Sequence, residues 1–262
     1  MKRNLQLFLQ FVRVNWMGEM EFRFNLLIWS VINVFWSASF ILMINLIYAN
    51  VNSIAGWDKT QATVLVIIQN IFVGIIWFFV IPSLRDLSHK IRKGELDFIL
   101  TKPVDASFVL SVHKQEFDSY VRVVTLIVAL CLYLARNSFS ISPLSIVAFA
   151  VAFVSGLVII YSLFFLLTTT NFWFIGIFNF DHLFMNAMDI ATFPSQMFSG
   201  ATKLIFVYLI PTLFIATLPT QILLGQISPV AALIPVAVAV VFYYLSQKFW
   251  NFALRHYSSA SS

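Results

Sequence analysis

What most constrains this chain is a series of apolar runs, each long enough to cross a lipid bilayer, separated by short polar stretches. A crossing helix needs about 20 predominantly apolar residues at about 1.5 Å each. Five such runs are plain, at 24–49, 62–82, 117–135, 143–170 and 229–246. A sixth, 203–221, carries Pro211 and Pro219. These would break a helix in water but are tolerated in a membrane whose neighbouring helices satisfy the freed carbonyls, so the run reads as a kinked span. Composition agrees, since 60% of the 262 residues are hydrophobic and 10% charged, against about 25% charged in a soluble domain. The expected fold is all-α, a polytopic membrane protein with about six transmembrane helices in a single domain over 1–262.

Two further segments are expected to touch the membrane. Over 1–20, Leu5, Phe8, Leu9, Val12 and Trp16 recur at helical spacing, with Gln6, Gln10, Arg13 and Met17 elsewhere on the wheel, which predicts an N-terminal amphipathic helix lying in the interface. Lys2 and Arg3 suggest a secretory signal, but the polar interruptions and the lack of a small-residue cleavage site argue against one. Over 171–200, Phe172, Trp173, Phe174, Ile175 and Ile177 precede Asp181, His182, Asn186 and Asp189. That pattern reads as an interfacial or half-inserted helix ending near Pro194, with a seventh crossing as the alternative.

Orientation follows from the basic residues. With the N-terminus in the cytoplasm, of 16 bases only Lys59 and Arg136 fall outside, while Lys2, Arg3, Arg13, Arg23, Arg85, Lys90, Arg92, Lys93, Lys102, Lys114, Arg122, Lys203, Lys248 and Arg255 fall inside. Both termini are therefore expected to be cytoplasmic, with an even number of crossings. The net charge of +5 does not make the chain a nucleic-acid binder, because its bases flank apolar runs instead of forming a patch among polar residues.

The only long polar stretch, 83–116, holds six of those bases, Arg85, Lys90, Arg92, Lys93, Lys102 and Lys114. Leu84, Leu87 and Ile91 share one face of a predicted helix that Gly94 can end in a left-handed cap. Pro103 stops any helix at Lys102, and Asp105 can cap the next. The segment is thus a helix, a tight turn, a short helix and another turn, a compact knob offering Leu96, Ile99 and Leu100 among charges. Such a knob suits docking of a soluble partner, and equally suits contact with anionic headgroups.

Other chemistry finds little support. No Gly-x-x-x-x-Gly-Lys-Ser/Thr run exists, so nucleotide phosphates are not cradled by a P-loop here. His89, His113, His182 and His256 lack metal-site spacing, no Gly-x-Ser-x-Gly elbow occurs, and Cys131 sits in an apolar run with no partner for a disulfide. No catalytic, metal or cofactor-binding residue is assigned. Asp181 and Asp189 are the best placed acids for ion coupling, though they sit at the expected membrane edge. Asn33, Asn45, Gln69 and Asn70 read as residues that join helices by hydrogen bonds. The 29 phenylalanines read mostly as lipid-facing surface and would also suit a path for hydrophobic cargo.

The run Ile91 to Pro103, reading I-R-K-G-E-L-D-F-I-L-T-K-P, resembles the G-E-L-D … L-x-x-P signature after the second span of ABC-2-type transporter permeases, in the branch of small six-span bacterial and cyanobacterial subunits. Pro219 to Gly225, P-T-Q-I-L-L-G before the last span, is similar to that branch too, and the layout of the whole chain matches it. The resemblance implies a permease subunit of an ATP-driven exporter in the cell inner (plasma) membrane, with an amphipathic or hydrophobic substrate such as a drug, lipid or lipid-linked molecule. Its expected partners are two copies of a separate ABC ATPase, which would carry the ATP and Mg, and a second permease subunit, identical or related. It also implies that Arg92, Gly94, Glu95, Leu96, Asp97, Leu100, Lys102 and Pro103 shape or fill the contact with the ATPase. The competing readings are a self-contained secondary transporter or channel and a membrane enzyme acting on lipid, for which paired broken helices or a cluster of acids and histidines would be needed.

Overall fold

A computed structural model describes residues 2–137, 139–174, 186, 188–205 and 211–257. Its regular structure is helical, with no named strand among the described residues. Helix α1 (Lys2–Glu21) leads almost directly into α2 (Arg23–Ile47). Helix α3 (Lys59–Ile75) begins on a capping box, in which Asp58 accepts from the Gln61 amide and Gln61 returns a bond to the Asp58 amide. It passes through a π-helical turn, Ile76–Val80, into α4 (Ile81–Lys93). Then come α5 (Asp97–Leu100), α6 (Ala106–Val112), α7 (Asp118–Arg136) and α8 (Pro143–Thr169), the last started by Ser142, whose hydroxyl accepts from the Ser145 amide, and by Pro143 in the first turn. Short pieces follow, among them α9 (Gly200–Lys203) and α10 (Thr217–Leu223), before α11 (Leu233–Arg255).

Among the described residues five helical stretches are long and apolar enough to cross a membrane: Arg23–Ile47, Lys59–Ile91, Asp118–Arg136, Pro143–Phe172 and Pro229–Arg255. The expected sixth span is not one helix. Where it is described it consists of α9, a 3-10 turn Thr212–Phe214 and α10, and residues 206–210 lie outside the described residues. Asp181 and His182 lie outside them as well.

Helix α3 is the axis of the bundle. Val64, Leu65, Val66, Ile68 and Phe72 are all fully buried, so the helix is covered on every side, as an apolar helix without a polar face must be. Helices α2 and α7 pack on it and on each other, and leave broad apolar faces outward, including Phe35, Leu42, Val128 and Leu132. Where lipid is as apolar as leucine, close backbone approach does much of the joining. A methyl group at Gly74 of α3 would stand 2.7 Å from the Val123 side chain of α7, and one at Gly156 of α8 would stand 2.4 Å from the carbonyl oxygen of Phe214.

Helices α8 and α11 run parallel. Their first turns share a core that includes Ala148, Ala152, Ala232 and Ala239, and their last turns meet where the Phe172 ring lies 5.6 Å from Trp250 and 5.4 Å from Tyr257. The chain joining them therefore returns from one end of the bundle to the other. Its described residues form short separate pieces, with Ala191, Thr192, Ile215 and Ala216 almost wholly buried. Irregular backbone at membrane depth is tolerated when covered by protein in this way. The backbone carbonyl of Met188 accepts from Gln69, halfway along α3, so residues 188–192 belong to the bundle interior, unlike an interfacial helix and in keeping with the half-inserted alternative.

Candidate functional site

At the end of the bundle that carries α1, the stretch from Lys59 to Ile91 outruns the membrane: its 33 residues extend about 50 Å against a hydrocarbon core of about 30 Å. Helix α4 is the projecting part. It buries Leu84, Leu87 and Ile91 and ends at Gly94, whose φ of 70° is the left-handed cap the sequence required. Asp86 ties α4 to the end of α6, accepting from Lys90 one turn on and bonding His113 Nε2 at 2.6 Å. The His113 hydrogen bond, helped by Lys90, holds the Asp86 carboxyl well below the usual carboxylate range despite opposing burial. Ser83 Oγ donates to the Lys114 carbonyl at 2.8 Å, and Asp105 caps α6 by accepting from the Phe108 amide at 3.1 Å. The knob is braced at both ends of α6 by these side chains, while the turn after α4 is closed by backbone bonds to the Lys90 and Ile91 carbonyls.

Its tip differs from the sequence reading in which apolar side chains it presents. Leu96 is fully buried and Ile99 is 8% exposed, so these two hold the knob together and are not offered to a partner. Phe98, which the sequence reading passed over, is 73% exposed. Leu100 is exposed, as are Glu95, Lys102 and Pro103, whereas Asp97 is half-buried. Asp97 faces the C-terminal end of α11, where burial and then the Asp97 carboxylate push the Tyr257 phenol up. Arg92 lies in the last turn of α4. Between Leu7 and Phe11 of α1 and Phe98 and Val104 of the knob runs a groove of about 560 Å³, with Glu95 and Lys102 at its rim. Helix α1 is fixed here by the Phe8 ring 6.2 Å from Phe79 and by Asn15, whose amide donates to the His113 carbonyl at 2.8 Å. Its packed face is Leu7, Phe8, Phe11, Val12 and Asn15, while Leu5, Leu9 and Trp16 stay exposed, so the predicted apolar stripe is split between protein and membrane.

Beside the knob, between α2 and α7, lies a cavity of about 730 Å³. One wall is Trp29, Ile32 and Trp36 of α2, and the other carries Glu19, Arg85, Glu116, Asp118 and Arg122. Asn33 crosses from α2 to donate to Asp118 Oδ2 at 2.8 Å, and the Arg85 guanidinium lies 4.9 Å from the Trp77 ring centroid, a cation–π distance. Burial, and secondarily the Asp118 charge, push the carboxyls of Glu19 and Glu116 up. Arg122, counted among the cytoplasmic bases although it lies in the predicted span 117–135, is 5% exposed within the bundle. Its Nη2 donates to Asn70 Oδ1 at 2.8 Å, Asn70 Nδ2 donates to Gln69 Oε1 at 3.0 Å, and Gln69 reaches the Met188 carbonyl at 3.3 Å. Arg122 Nε is buried with no hydrogen-bond partner. Asp189 lies near enough for its charge and that of Arg122 to act on each other.

The family model described as ABC-2 family transporter protein matches residues 34–261. The chain belongs to the ABC-2 transporter family. Those residues run from α2 to the C-terminal tail and include the knob and all the cavity wall except what α1 and the first turns of α2 provide. No curated protein and no solved structure matches the chain. An ABC-2 permease is a membrane transport component that works with an ABC ATPase, and this chain is accordingly a multi-pass membrane protein of that kind. Among the described residues no group of three or more His, Cys, Asp or Glu could hold a metal ion. The cavity escaped the sequence reading because its groups come from segments about a hundred residues apart. The available signal was Arg122 itself, a charge four residues after Asp118 inside an apolar run, which in a membrane is a site by default.

Proposed function

We propose that this chain is the permease subunit of an ATP-driven exporter and that its knob, residues 83–116, receives a separate ABC ATPase. The carrying observation is the braced, outward tip on a helix continuous with the central span. Phe98 and Leu100 stand exposed between Glu95 and Lys102, and α4 joins α3 through the π turn. A push on Phe98 therefore bears on the bundle axis directly, and a π turn is a common place for a helix to yield. Two ATPase copies would supply ATP and Mg, and a second permease subunit, identical or related, would complete the path on the exposed faces of α2 and α7. The substrate is an amphipathic or hydrophobic molecule, and the cell inner membrane, with both termini cytoplasmic, is the location that the charge bias supports.

The test is purification of the chain from its native membrane with identification of co-purifying proteins. Wild type should bring down an ATPase, and Phe98→Ala combined with Glu95→Arg should lose it while keeping a wild-type thermal transition. These two positions are better than Asp97, whose replacement would also disturb Tyr257. A stable complex without an ATPase would favour a self-contained carrier instead.

A further inference from the structure

The cavity between α2 and α7 has three properties that together specify an occupant. First, its wall carries both signs, Arg85 and Arg122 against Glu19, Glu116 and Asp118. A purely anionic head would meet three carboxylates and a purely cationic one two guanidinium groups. Second, Arg122 lines that wall with its Nη2 engaged by Asn70 and its Nε enclosed beside Gly74, which leaves Nη1 as the donor for an occupant. Third, the opposite wall is apolar and aromatic and open to the bilayer, with Trp29 50% and Trp36 57% exposed and Ile32 between them. Indoles in this setting serve apolar chains along their faces and cations above their rings. The volume falls within the roughly 300–1,000 Å³ of sites that take drug-sized ligands.

We propose that this cavity binds the zwitterionic headgroup of a membrane amphiphile, a phosphate or carboxylate oxygen accepting from the Arg122 guanidinium at Nη1, an ammonium group lying among Glu19, Glu116 and Asp118, and the chains running along Trp29, Ile32 and Trp36 into the bilayer. The site deepens the exporter reading by naming a substrate class, yet its binding needs no ATPase, so the two stand or fall separately. The raised carboxyls of Glu19 and Glu116 fit the same occupant, since an ammonium neighbour would lower them again.

The experiment is calorimetric titration of the whole purified chain in detergent with three short-chain probes: dihexanoylphosphatidylethanolamine, dihexanoylphosphatidylglycerol and hexylammonium. The zwitterion should bind about tenfold or more tighter than either single-sign probe, one charge-assisted hydrogen bond's worth. Arg122→Gln should weaken the two phosphate probes, and Glu116→Gln, on the half-buried wall and harmless to the bundle core, should weaken the two ammonium probes and spare phosphatidylglycerol. Mass spectrometry of the wild-type preparation separates the sources. A co-purifying phospholipid lost on Glu116→Gln marks a bilayer lipid, and an empty cavity that takes up the zwitterionic probe marks a transient cargo. Equal binding of all three probes, or zwitterion binding unmoved by Glu116→Gln, overturns the proposal.

Discussion

At the scale of single residues, small side chains and buried polar groups carry the sharpest expectations. Gly156 lies in mid-helix, where alanine would ordinarily stabilise by about 1 kcal/mol, but its added methyl would sit 2.4 Å from the Phe214 carbonyl oxygen, which is backbone and cannot turn aside. Gly156→Ala is therefore expected to destabilise by about 1–3 kcal/mol, whereas Gly18→Ala, with nothing within 4 Å of the new methyl, is expected not to; thermal unfolding in detergent compares them. The carboxyl groups set opposite pH dependences. Glu19 and Glu116 titrate above their ordinary 4.5, so what they contribute is fully present below that value and is lost as pH rises through their raised ones. Asp86 titrates below its ordinary 3.8, so its contribution is present above that value and is lost as pH falls through the lowered one. The transition temperature should accordingly decline as pH rises from about 4.5 through the raised values of Glu19 and Glu116, and Glu116→Gln should flatten that decline while leaving the acid-side loss in place. A decline unchanged in the variant would place the titrating group elsewhere.

At the scale of elements, the knob separates two roles that the sequence ran together. Gly94, Pro103 and Asp105 announced its turns through backbone chemistry that depends only on near neighbours, and those turns were legible. Which of Leu96, Phe98, Ile99 and Leu100 faces inward depends on where α1 and the end of α11 lie, and local spacing does not contain that. Leu96→Ala should cost about 2–5 kcal/mol of stability, as truncation of a fully buried leucine does. Phe98→Ala, at an exposed site, should leave the unfolding transition within about 0.5 kcal/mol of wild type and act only on capture of the ATPase. Parallel denaturation and co-purification of the two variants decide it, and a Phe98→Ala protein that unfolds early would show that the tip is part of the core. Helix α1 teaches the same lesson, since its helical period was readable but the division of its apolar residues between Phe79 and the membrane was not.

At the scale of the whole molecule, hydrophobic length alone identified long spans and failed at the described residues 188–205 and 211–221, where burial in protein replaces helical hydrogen bonding as the way polar backbone is kept from lipid. Packing supplies what length could not. Because α8 and α11 are parallel, Phe172 meeting Tyr257 at one end and Ala148 sharing a core with Ala232 at the other, the chain between them has to return through the thickness of the bundle. This makes a topological prediction independent of the charge bias. With Cys131 replaced by serine, single cysteines at Ser53, Ser140 and Gln226, all exposed, should react with an impermeant maleimide from one face of the membrane, and those at Thr101 and His256 from the other. The Gln226 site is the discriminating one. Were the broken segment only to dip into the membrane and leave on its own side, Gln226 would label together with Thr101, and α11 would then have to run antiparallel to α8, against the contacts at both of its ends.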